Sequence, residues 1–268
     1  MLHLFPIAAL VLYIAAGLGY IRLFRSKSGL STSGSRVILF SGFALHFIFL
    51  ALSSYQGLVA THPATSSKIS LLLVGLFLVF EKRLNLTALG AFLVPLSAAF
   101  LFYAGVIFHT TREVTDPQVS PILLTFHLWA CVFAIVLLGS SAILSVGIIV
   151  KDDVLKHGTI FLFKKRLPSL QKLESFAATA LSVGFWLMAL GVVSGCFLAI
   201  SHGVETVFSD ARFLWSLATL FVYALLLAAK NSGDLHGVKA SWYAIACFAS
   251  VIVSFFGVNH YSDSFHIY

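Results

Sequence analysis

Histidines are the residues of this sequence best able to do chemistry, because neutral imidazole is the commonest protein metal ligand. There are ten. Six lie at or near one face of the membrane arrangement derived below: His62, His109, His127, His202, His260 and His266. His157 and His236 fall in loops of the opposite face, and His3 is near the N-terminus. His127 sits in LLTFHLWACVF and His266 in FFGVNHYSDSFHIY. Two imidazoles facing each other can ligate a haem iron axially, one on each side. Outer-end histidines on different helices suit a porphyrin lying flat near the membrane surface. Spacing alone is weak evidence, since an interfacial histidine is more often a simple amphipathic anchor.

His46 stands alone in the middle of an apolar run. A polar ring in mid-membrane is costly and usually faces the bundle interior. It is either hydrogen-bonded structurally, with Ser41 and Ser53 on the same run, or an internal haem ligand or part of a transit path. A third polar group is Asp210, Arg212 and Trp215, in the stretch SDARFLWSL. Asp210 is a good helix N-cap, and Trp215 suits an interfacial belt. The same residues can line a porphyrin slot, with Arg212 pairing a propionate. The three cysteines, Cys131, Cys196 and Cys247, form no CxxC or CxxCH and read as small packing residues.

Composition says what must position these groups. Of 268 residues, 59% are hydrophobic and 10% charged, with a mean hydropathy of +0.99. A soluble domain carries about 25% charged residues, so this chain cannot cover a water-soluble surface. Its apolar runs are long enough to cross a hydrocarbon core of roughly 30 Å. The expectation is an all-α, polytopic membrane helix bundle of about eight transmembrane helices, forming one membrane domain over residues 1–268. The helices are placed at 3–22, 37–58, 67–80, 86–109, 121–150, 172–200, 211–229 and 239–258. The third is short and needs residues 66–68 to span. The first has no basic leader and no cleavage site, and reads as a retained helix rather than a signal peptide.

Most of the 17 Lys and Arg lie in alternate loops. Loop one has Arg22, Arg25, Lys27 and Arg36, and loop three Lys82 and Arg83. Loop five has Lys151, Lys156, Lys164, Lys165, Arg166 and Lys172, and loop seven Lys230 and Lys239. Only Lys68, Arg112 and Arg212 lie on the other side. By the positive-inside rule the odd loops are cytoplasmic and both termini are extracytoplasmic. The net charge of +7 therefore marks orientation and contact with membrane lipid, not nucleic acid.

Four stretches resemble a known family. FHLWACVFAIVLLGSSAIL is similar to a family helix that opens with an external haem-ligating histidine. LPSLQKLESFAATALSVGFWLMALGVVSGCFLA is similar to the family's LP…E…GF…LG…SG helix. GVNHYSDSFHIY looks like the GVN…LHSY ending, and ALHFIFL like the family's first intramembrane histidine. The family is the membrane haem-handling cytochrome c assembly group, of CcsA/ResC, CcmC and HemX/YpjD type. The resemblance puts the external ligands on His127 and His266, not His260, and the intramembrane histidine on His46. The family's tryptophan-rich WGxxWxWDxxET segment is reduced to Asp210 and Trp215, and a second intramembrane histidine is replaced by Ala228. These departures are shared with the HemX/YpjD type.

The resemblance implies a non-covalent, b-type haem held in an outward-facing bis-His site shaped by Asp210, Arg212 and Trp215. The haem would be presented for cytochrome c assembly to an extracytoplasmic partner protein and apocytochrome c. The expected location is the inner (cytoplasmic) membrane, multi-pass. No catalytic group is assigned: the resemblance implies haem handling, at most as part of a cytochrome c synthase complex. The alternative is a HemX-like regulator of haem biosynthesis acting through loop five without direct haem delivery. An electron-transfer cytochrome would need paired mid-membrane histidines, and a transporter of unknown substrate is the remaining reading.

Overall fold

A computed structural model describes residues 4–25, 32–55, 62–84, 87–107, 121–157, 168–201, 208 and 210–255. Among these residues there are eight α-helices and no strand. They are α1 (Leu4–Arg25), α2 (Ser33–Tyr55), α3 (His62–Leu84), α4 (Gly90–Ile107), α5 (Pro121–His157), α6 (Leu170–Ser201), α7 (Ala211–Asn231) and α8 (Gly237–Val253). Five contain stretches long and apolar enough to cross a bilayer: Leu4–Phe24, Ser33–Ser53, Ile122–Lys156, Leu170–Ser201 and Phe213–Asn231. Thr65–Val79, Gly90–Gly105 and Gly237–Val253 are shorter apolar segments. The protein is a helical membrane bundle.

α1 wears its large aliphatic side chains outward. On α1, Ala9, Tyr13, Ala16 and Tyr20 are buried, while Leu4, Ile7, Val11, Ile14 and Leu18 are exposed. Both sets repeat at helical spacing. Large aliphatics on the outside suit lipid, and the hydroxyl-bearing rings turn toward the bundle interior.

α3 is longer than the expected 67–80. It begins at His62, with Pro63 in the first turn, where a missing N–H costs nothing. Its first half is polar yet buried: Thr65, Ser66, Ser67, Lys68 and Ser70 all face protein. Ser66 Oγ donates to the Phe100 carbonyl at 2.6 Å, and Ser70 Oγ to the Ser97 carbonyl at 2.7 Å. α5 runs past residue 150 to His157, with a Lys156–Asp152 pair at 2.8 Å on its last turns. α8 begins at Gly237, two residues before the expected start at 239, and ends at Val253, short of the expected 258.

The chain falls into two compact units, Met1–Glu113 with Val150–Leu170, and Val114–Ile149 with Gln171–Tyr268. In the first, α1 packs on α2 and α4, and α3 on α4 and α2. A buried ion pair sits among α1, α2 and α3. Glu81, 2% exposed, lies 3.5 Å from Arg36 Nε and accepts a 2.9 Å hydrogen bond from the Tyr20 hydroxyl. In the second unit α5 and α6 pack antiparallel through small residues. Ser141 Oγ donates to the Ala177 carbonyl at 2.9 Å. Further along, Gly184 lies against Leu138, Gly191 against Cys131 and Gly195 against His127. α7 and α8 form a hairpin whose turn uses Gly233 at φ 89°, a left-handed position that suits glycine.

Candidate haem-ligand site

His127 lies seven residues into α5, about 9 Å from its start at 1.5 Å per residue. Its ring is half-buried against α6. Nδ1 is 2.9 Å from the Gly191 carbonyl oxygen and 3.3 Å from Ser194 Oγ. Ser194 Oγ itself donates to the Gly191 carbonyl at 3.0 Å. The Cys131 sulfur, one turn further along α5, is 3.9 Å from each ring nitrogen. A methyl group added at Gly195 would come within 2.6 Å of the ring's Cε1. On the neighbouring stripe of α5, Phe126, Trp129 and Phe133 are exposed.

Asp210 caps α7. Its Oδ1 accepts a 3.1 Å hydrogen bond from the Phe213 backbone N–H, satisfying one free donor of the first turn. Trp215, one turn into α7, donates from Nε1 to the Ser250 carbonyl of α8 at 3.0 Å. The indole is 39% exposed, so its ring face is what it offers to anything outside the hairpin. Arg212 is the second residue of α7, and its side chain lies outside the described residues. His266 and His260 lie outside them too.

His46 is fully buried in the first unit. Nδ1 is 3.2 Å from the Tyr13 hydroxyl on α1, and Nε2 is 2.8 Å from Ser67 Oγ on α3. The Tyr13 and His46 rings also meet edge-on, with centroids 5.8 Å apart. Both nitrogens are therefore engaged, by partners on other helices rather than by Ser41 or Ser53.

The donor set at His127 would suit a metal ligand such as a haem iron calls for. One ring nitrogen is held by protein, and among the described residues Nε2 has only the soft sulfur contact. No group of three or more His, Cys, Asp or Glu able to hold a metal ion occurs among the described residues. Gly191, Ser194 and Gly195 are not recognisable from residue type as partners of His127. The Gly191-xxx-Gly195 spacing, a close-approach signal between membrane helices, was the available clue.

The sequence model of the family described as cytochrome C assembly protein matches residues 59–266. Among curated relatives, the cytochrome c biogenesis protein CcsA of Nandina domestica is 24% identical over 119 residues, 44% of this chain and 37% of that protein. The CcsA of Synechococcus sp. (strain RCC307) is 26% identical over 111 residues, 41% of this chain and 36% of that protein. Protein NrfI of Wolinella succinogenes is 27% identical over 243 residues, 84% of this chain but 25% of its own length. The chain thus spans well under half the length of these relatives. The HemX-like label finds no support among them. No solved structure matches the chain.

Proposed function

The chain belongs to the cytochrome c assembly protein family, a multi-pass membrane family with a role in cytochrome c biogenesis, and from that premise we propose that it holds haem in an outward-facing site between His127 and His266. The observation that carries this reading is the His127 ring, anchored to α6 through one nitrogen, while among the described residues the other meets only the Cys131 sulfur. Haem supplies the ligated iron and a flat apolar ring with two carboxylates, held without a covalent bond. His127 and His266 would hold the iron. Trp215 offers an aromatic face, Arg212 pairs a propionate, and Asp210 holds the start of α7 that carries both.

The haem is presented to an apocytochrome c with an assembly partner protein on the outer side of the cytoplasmic membrane. That placement rests on the clustering of basic residues in alternate loops. A regulator acting only through loop five needs no histidine oriented at the other face.

Absorption spectroscopy of the purified chain in detergent tests the site. Wild type with haem should give a Soret band with sharp reduced α and β bands. His127→Ala and His266→Ala should each lower haem content, with partial recovery by added imidazole, and His260→Ala should change little. Full haem with an unchanged spectrum in His266→Ala refutes the bis-His site.

A further inference from the structure

We infer that Gly191 and Gly195 of α6 are positioning residues for His127: the Gly191 carbonyl sets which ring nitrogen carries the proton, and the bare Cα of Gly195 sets where the ring lies. Together they present Nε2 as a lone-pair donor. This deepens the haem-site reading above and rests on it for the identity of the metal.

The proton's location follows from the partner. A carbonyl oxygen only accepts, so the nitrogen 2.9 Å from Gly191 must carry hydrogen. A neutral imidazole has one N–H, and Nε2 is then the unprotonated nitrogen. The opposite tautomer would aim the Nδ1 lone pair at the carbonyl lone pairs. Ser194 Oγ donates to the same carbonyl, one lone pair of which serves the helix's own N–H four residues on, so hydroxyl and ring meet on its open side. The hydroxyl therefore shares the anchor without displacing the ring.

The ring's position follows from the missing side chain. A Cβ at residue 195 would sit 2.6 Å from Cε1 and 3.1 Å from Nδ1. The first distance is shorter than real carbon contacts, so any larger residue must shift the ring from its place beside Gly191. Cys131 occupies the next turn of α5, with its sulfur where a Cβ at residue 191 would be 2.8 Å away. Retreat toward that side is closed. The sulfur is a weak hydrogen-bonding group and leaves Nε2 uncontested. An outer-shell carbonyl of this kind typically changes metal affinity by about 10–100-fold when lost.

Histidine-selective nitrogen-15 NMR on the haem-free full chain reads the tautomer directly, with His127→Gln identifying the signals. Wild-type His127 should be protonated at Nδ1 alone, and a ring protonated at Nε2 overturns the inference. This measurement needs no folded glycine variant. Gly195→Ala should abolish the single-tautomer signal. It should also weaken hemin binding by about tenfold or more and give a five-coordinate spectrum that free imidazole returns to six-coordinate. An unchanged tautomer and unchanged hemin spectrum in Gly195→Ala refute the positioning role. Ser194→Ala should keep the wild-type tautomer, and a switch there would move the role from the Gly191 carbonyl to the hydroxyl. If wild type shows the expected tautomer, lost in Gly195→Ala, but takes up no hemin, the positioning stands and the haem reading fails.

Discussion

Replacing His46 with alanine should destabilise the protein without emptying the haem site. The ring bridges the Tyr13 hydroxyl at 3.2 Å and the Ser67 hydroxyl at 2.8 Å, and is itself fully buried. Removing it leaves two buried hydroxyls to find new partners, at about 1–3 kcal/mol each if they do not. In membrane proteins the unfolded reference state also finds partners, and pairwise couplings average about 0.6 kcal/mol with a maximum near 1.7. The expected loss is therefore about 2–4 kcal/mol for His46→Ala. Double-mutant cycles with Tyr13→Phe and Ser67→Ala should give couplings of about 0.5–1.7 kcal/mol, larger for the shorter Ser67 contact. Reversible unfolding in detergent measures the stability terms, and the Soret absorbance measures haem content in the same samples. A His46→Ala protein of wild-type stability that has lost its haem would refute this reasoning and make His46 a ligand.

Other perturbations separate structural from site roles. Glu81→Gln should cost about 3 kcal/mol of stability, at the low end for breaking a buried pair because Arg36 remains 27% exposed, and a thermal melt reads it. Asp210→Asn keeps a good N-cap and should melt like wild type, whereas Asp210→Ala should lose about 1 kcal/mol. A fall in haem content in Asp210→Asn alone would show that the charge itself serves the site. Gly139→Ala should destabilise by about 1–3 kcal/mol, since its Cβ would stand 2.8 Å from the Phe248 ring, and the compensating Phe248→Leu should recover part of the melt. A reporter fused at Lys164 should be inactive outside and active inside the cell, and the reverse result would overturn the topology.

Helix number and order were legible because hydropathy registers apolar side chains wherever they face: outward on most of α1, α2, α6 and α7, and into protein on most of α5. The start of α3 was not. Its Thr65–Ser66–Ser67–Lys68 stretch is polar, and only the packed structure reveals that its serines 66 and 70 meet carbonyls of α4. The Asp210 cap was readable because N-capping is local, three residues from Oδ1 to the Phe213 N–H. The Trp215 bond to Ser250 was not, because it joins residues 35 apart through a backbone carbonyl that any residue supplies. His127 could be singled out by type and position. Its anchor on Gly191 depends on the register of two antiparallel helices, which no single-helix periodicity encodes.

That register bears on how the protein meets different bilayers. The pairings Ser141–Ala177, Leu138–Gly184, Cys131–Gly191 and His127–Gly195 tie α5 to α6 rung by rung. α5 has 37 residues and α6 has 32, about 55 and 48 Å of helix against a hydrocarbon core of roughly 30 Å. A change in acyl-chain length can be met by tilting both helices together, and tilting the pair does not slide one rung past another. The depth of the His127 ring is thus measured from α6 rather than from the lipid. Hemin affinity in nanodiscs should stay level as the lipid tails are lengthened, even while the tilt of the hairpin changes.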